Sequence, residues 1–117
     1  MRLGYEERLA PLLDDARQIR LCLLCKDGCM VELVSPTGPD SPVAGLQKRY
    51  QNAPYHLCYE ATDFEAELAG LEAGGYTRID APAPAPAFSG RRVVFLMSPT
   101  IGMLELLEEA PADQTRA

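Results

Sequence analysis

Two glutamates, Glu32 and Glu105, stand out as candidates for chemistry because one short pattern carries both. Gln18 to Pro36 reads QIRLCLLCKDGCMVELVSP, and Arg91 to Glu109 reads RRVVFLMSPTIGMLELLEE. At an offset of 73 residues Glu105 falls on Glu32, Met103 on Met30, Leu106 on Leu33 and Leu96 on Leu23. Strand alternation then places Met30, Glu32 and Val34 on one face, and Met103, Glu105 and Leu107 on one face of the second copy. A carboxylate so flanked suits neither a simple core nor a simple surface. Proton transfer is what a carboxylate in that setting could supply.

Three further groups invite chemical readings. His56, the single histidine, shares a strand face with Cys58 and Glu60, although a strand histidine is more often a satisfied polar residue than a ligand. Cys22-Leu-Leu-Cys25 has a redox or zinc spacing, but i and i+3 on a strand point to opposite faces. Arg91-Arg92 could meet a carboxylate or phosphate of a substrate, and more often such a pair is a solvated hairpin flank.

The elements that must position these residues are short. Tyr5 to Ala10 reads as a strand broken by Pro11, and Leu12 to Arg17 as a loop. Ile19 to Cys25 and Cys29 to Val34 form a hairpin about Lys26-Asp27-Gly28. Ser35 to Ala53, rich in Pro and Gly without a sustained period, reads as a linker. Pro54 to Glu60 is a strand. Thr62 to Glu65 forms a capping box that opens a helix with Phe64, Leu68 and Leu71 as its buried stripe, ended by Gly74-Gly75. Tyr76 to Asp80 is a strand, and Ala81 to Ala87 an extended polyproline-like path. Val93 to Met97 and Met103 to Glu108 are the last strands, and the tail beyond frays.

Composition sets outer limits. A chain of 117 residues is about one domain, and its 47% hydrophobic fraction is ordinary for a globular one. A net charge of −6 argues against a nucleic-acid partner. No apolar run approaches a membrane span, and MRLGYEERL has no signal core. The four cysteines then read as reduced thiols of a cytoplasmic protein.

Upstream the repeat offset drops to 71, pairing Gly75-Tyr76 with Gly4-Tyr5 and Ala81-Pro82 with Ala10-Pro11. The second copy reads strand, helix, strand, strand, strand, whereas the first holds only the last three strands. The chain thus begins inside its own first repeat, and the partner of His56 would fall about fifteen residues before Met1.

The segment from Pro54 to Glu109, with its H-L-C-Y-E, helix and G-x-L-E-L pattern, resembles the C-terminal half of a methylmalonyl-CoA-epimerase-like protein of the glyoxalase, or vicinal-oxygen-chelate, superfamily. The resemblance implies an α+β fold of paired βαβββ modules. The first module (1–36) is truncated to three strands, 37–53 is the linker, 54–109 the complete module and 110–117 a flexible tail. It places metal ligands at Glu32, His56 and Glu105, while the family's fourth ligand, a His on the first strand, has no counterpart. One imidazole and two carboxylates suit a divalent ion such as Mn, Co, Ni, Fe or Zn, unless loss of the fourth ligand leaves the site without metal. Glu105 or Glu32 would be the catalytic base in metal-assisted proton transfer beside the carbonyl of a small acyl-thioester or carbonyl substrate, in an epimerase, isomerase or lyase. The alternative is a non-catalytic module of the same fold that binds or sequesters a small molecule. Losing a strand and a helix would expose apolar side chains of strands such as Ile19 to Cys25, for which a homodimer is the simplest remedy. Truncating His56 is expected to cost metal affinity but little stability.

Overall fold

A computed structural model describes residues 3–51 and 53–110, apart from the side chain of Tyr50. Of the expected frayed tail, residues 111–117 lie outside the described residues. The chain divides into two compact units, Met1–Ala53 and Pro54–Ala117.

The first unit is an antiparallel sheet in the order β1-β2-β3, with β1 at Glu6–Asp14, β2 at Ile19–Lys26 and β3 at Cys29–Pro36. The β2–β3 ladder runs unbroken from Ile19 opposite Pro36 to Lys26 opposite Cys29. Asp27 and Gly28 close it at φ of 53° and 79°, the doubly positive geometry of a twist-matched two-residue turn. Period-two alternation puts the buried Ile19, Leu21 and Leu23 on the same face as Glu32 and Val34.

Two sequence expectations fail in this unit. The strand expected to stop at Ala10 continues as β1 through Pro11 to Asp14, and the loop expected from Leu12 begins only after it. β1 is an edge strand whose register shifts between Leu9 and Leu12. The missing Pro11 N–H is therefore not demanded by a ladder. Asp14 ends the strand buried and binds the Arg17 guanidinium at 3.1 Å. The stretch read as an irregular linker contains helix α1, Pro42–Tyr50, which packs against β3. Ser41 Oγ accepts the Val43 N–H at 3.3 Å and Pro42 occupies the first turn, a start signal hidden among the surrounding prolines.

The second unit comprises β4 (His56–Ala61), α2 (Phe64–Ala73), β5 (Thr77–Arg78), β6 (Ala83–Pro84), a single 3₁₀ turn at Pro86–Phe88, β7 (Arg92–Met97) and β8 (Met103–Glu108). Its sheet has the order β4-β8-β7-β5, with β6 also on β7. β4 runs parallel to β8, and the other pairs are antiparallel. Phe64 and Leu68 of α2 pack on Ala61, Val94, Leu96 and Leu106, each such large side chain contributing about 1.5–3 kcal/mol on burial. The helix is capped by Asp63, whose carboxylate accepts the Ala66 N–H at 3.2 Å. The expected Thr62–Glu65 box is therefore displaced by one residue, and Glu65 instead binds Arg92 at 2.8 Å. The strand expected at Tyr76 to Asp80 shrinks to Thr77–Arg78, because the Asp80 carboxylate takes the Phe95 N–H that a longer ladder would have used.

Strand registers test the internal repeat. Glu7 faces Leu24 and Leu12 faces Leu21 in the first unit; Arg78 faces Leu96 and Ala83 faces Val93 in the second. Glu32 faces Leu23 and Glu105 faces Phe95. These pairs coincide when β1 is shifted by 71 residues, β2 by 72 and β3 by 73. Phe95 rather than Leu96 is thus the counterpart of Leu23. The two extra residues enter singly: one ahead of β7, one in the turn between Met97 and Met103. The fold is α+β, one complete βαβββ module preceded by a module reduced to three strands.

Candidate metal centre

β4 and β8 lie side by side, and their parallel register sets His56 against Met103 and Cys58 against Glu105. Alternation carries His56 and Glu105 to the same face of the sheet. There His56 Nε2 lies 3.1 Å from Glu105 Oε1, with the two side chains 9% and 6% exposed. A proton between these atoms makes the contact a hydrogen bond, charge-assisted when Glu105 is ionised. Two donors about 2.1 Å from one divalent ion at a right angle would lie about 3 Å apart. The same pair thus fits adjacent positions around a metal, with the shared proton displaced.

Aromatic rings flank the imidazole. Tyr55 meets it with centroids 4.6 Å apart and planes at 61°, and Phe95 at 5.3 Å and 82°. Phe95 also sits directly across from Glu105 in the β7–β8 ladder. Sequence reasoning missed both rings. For Phe95 the available signal was the repeat itself, once its one-residue slip on β7 is removed.

Glu32 belongs to the first unit, half-buried on β3 and opposite Leu23. Its register is that of Glu105 on β8, so the repeat matches the two carboxylates strand for strand. Cys58 and Glu60 follow His56 on β4 and are exposed. Cys22 and Cys25 are free thiols at non-adjacent registers of β2, opposite Leu33 and Met30.

The arginines are engaged within their own unit. Arg91 binds Glu60 at 2.8 Å and the Glu108 carbonyl at 3.2 Å. Arg92 binds Glu108 at 2.9 Å and Glu65 at 2.8 Å, and lies over the Phe64 ring with its guanidinium carbon 4.7 Å from the centroid. Hydrogen bonds donated to Glu108 and then to Glu65 raise the Arg92 pKa further. Hydrogen bonds from the Arg92 side chain first and its backbone N–H second hold Glu108 below the usual carboxylate range. They line an open groove of about 810 Å³ beside the start of α2, where every arginine charge already has a carboxylate.

The family model of the Glyoxalase/Bleomycin resistance protein/Dioxygenase superfamily matches residues 1–95. The chain belongs to that superfamily. An ethylmalonyl-CoA/methylmalonyl-CoA epimerase of Cereibacter sphaeroides is 34% identical over 67 residues, 56% of this chain and 50% of its own. The chain therefore spans about half the length of this curated relative. Among solved structures, a hypothetical protein from Bacillus halodurans C-125 matches with a TM-score of 0.82 and 18% identity, over 97% of this chain and 82% of that one. The methylmalonyl-CoA epimerase from Mycobacterium tuberculosis matches with a TM-score of 0.77 and 23% identity, over 93% and 74%. At these identities the likeness is one of fold. No described helix is long and apolar enough to cross a membrane.

Proposed function

We propose that this chain is an epimerase-type enzyme that moves a proton on the carbon beside the carbonyl of a small acyl-thioester, with a divalent metal held by Glu32, His56 and Glu105. The observation that carries the reading is the buried His56–Glu105 pair on parallel strands, at a spacing both a proton and a metal can bridge. The register match of Glu32 with Glu105 supports adding the third donor, and the likeness to a methylmalonyl-CoA epimerase supports the substrate class.

One imidazole and two carboxylates form a nitrogen and oxygen set suited to Mn, Co, Ni, Fe or Zn. When bound, such an ion acts as a Lewis acid on a carbonyl oxygen and stabilises negative charge developing there. His56 would hold the ion through Nε2, the atom directed at Glu105. Of the two carboxylates that would hold the ion, Glu32 or Glu105 would also take the proton from the carbon through an oxygen not on the ion, and a proton would then be delivered to the planar carbon. The low exposure of the His56–Glu105 pair keeps water from competing for it. The working form is a homodimer, a reading supported by the exposure of Leu13 and Leu33, 48% and 50%, and not by the strand Ile19 to Cys25, whose Ile19, Leu21, Leu23 and Leu24 are buried against expectation; the free thiols suit the cytoplasm.

Proton NMR of methylmalonyl-CoA in D₂O tests the activity. Metal-loaded protein should wash the hydrogen beside the thioester carbonyl out into solvent, and the Glu105→Gln variant should not. Retention of that hydrogen with fully loaded protein would remove the acyl-thioester reading.

A further inference from the structure

The ring of Phe95 is the neighbour of the site that neither donates to a metal nor moves a proton. It nevertheless touches the pair twice over: across the β7–β8 ladder from Glu105, and edge-on to His56 at 5.3 Å and 82°. Cross-strand neighbours have Cβ atoms about 5 Å apart. The ring therefore packs edge-on against the imidazole from the strand that also faces Glu105.

We propose that Phe95 is a positioning residue that fixes the orientation of the His56 ring, so that Nε2 rather than Nδ1 faces Glu105. Ring orientation decides which nitrogen carries the proton and which is offered to a metal; partners that set it by hydrogen bonds change metal affinity by about 10–100-fold, and a ring that sets it by packing is expected at the lower end. A leucine would fill much of the volume of Phe95 without presenting a flat edge, whereas a tyrosine would keep the ring. The proposal rests on His56 and Glu105 being metal donors, but its first readout needs no metal.

His56 is the chain's single histidine, so its two imidazole nitrogens give unambiguous ¹⁵N signals. Their shifts report the protonated nitrogen, an effect far larger than the loss of a ring current. In metal-free wild-type protein, at a pH where the imidazole is neutral, the Nε2–H form should dominate. Phe95→Leu should mix the two forms and weaken Mn²⁺ or Zn²⁺ binding by about tenfold, the lower end of such effects. Phe95→Tyr should restore both values. Val93→Ala, which thins the neighbouring core rather than the site, should leave both unchanged. A wild-type tautomer in Phe95→Leu overturns the positioning role, as does the same mixing in Val93→Ala. Wild-type protein that binds neither metal overturns the metal reading instead, and the tautomer measurement still decides Phe95.

Discussion

The His56–Glu105 pair places a sharp demand on its two residues. With side chains 9% and 6% exposed, each group depends on the other for this hydrogen bond more than on water. His56→Ala would leave the Glu105 carboxylate without this hydrogen bond, so it should cost about 1–3 kcal/mol in chemical denaturation. That corrects the expectation that truncating His56 would barely affect the fold, which assumed a side chain facing an open cavity. Glu105→Gln keeps an oxygen for the imidazole to bond and should cost less than about 1 kcal/mol, while still weakening metal binding. Equal stability losses in the two variants would show that packing, not the hydrogen bond, dominates. Glu108 belongs to a different regime, since its side chain is 35% exposed and its partner Arg92 is at the surface. Arg92 depresses the folded-state pKa of Glu108, so the bond stabilises above the ordinary carboxylate range and the benefit fades as pH falls through the depressed value. Glu108→Gln should therefore lower stability at neutral pH by no more than about 1 kcal/mol, and match wild type in acid or high salt.

Among the elements, the second module was read from sequence more fully than the first. Its helix follows from the Thr62-Asp63 start, the Phe64 and Leu68 contacts and the Gly74-Gly75 stop, and β8 lies at Met103 to Glu108 as the sequence predicts. The errors share a cause: local signals that two neighbouring residues satisfy equally. Thr62 and Asp63 are both good helix caps, and only the backbone decides for Asp63. Asp63→Ala should accordingly cost about 1 kcal/mol and Thr62→Ala close to nothing; the reverse order in urea denaturation would restore the original box. On β7, Val93, Val94 and Leu96 are all at most 2% exposed. A strand buried on both faces has no polar phase, so the repeat slipped by one residue there. α1 was hidden because its first turn opens on a proline in a stretch already rich in them. The repeat also yields a matched pair for measurement. Leu106 is 2% exposed beneath α2, whereas its counterpart Leu33 is 50% exposed. Leu106→Ala should cost about 2–5 kcal/mol and Leu33→Ala well under about 1 kcal/mol, as for surface changes generally.

For the whole molecule, the two carboxylates were legible because duplication puts them at equal registers, and the histidine because it is alone. The aromatic setting of His56 was not, since Tyr55 and Phe95 reach it through chain neighbourhood and a strand two places away. The apolar surface on the first unit predicts association of two copies, and light scattering at micromolar concentration should give twice the chain mass. The central claim is that Glu32, His56 and Glu105 hold one divalent ion together. Calorimetric titration of metal-free protein with Mn²⁺ or Zn²⁺, repeated on Glu32→Gln, His56→Ala and Glu105→Gln, tests it most directly. One ion per chain, with each substitution weakening binding by at least about tenfold, is the expected result. Wild-type affinity retained in Glu32→Gln, or no binding by the wild-type protein, would contradict it.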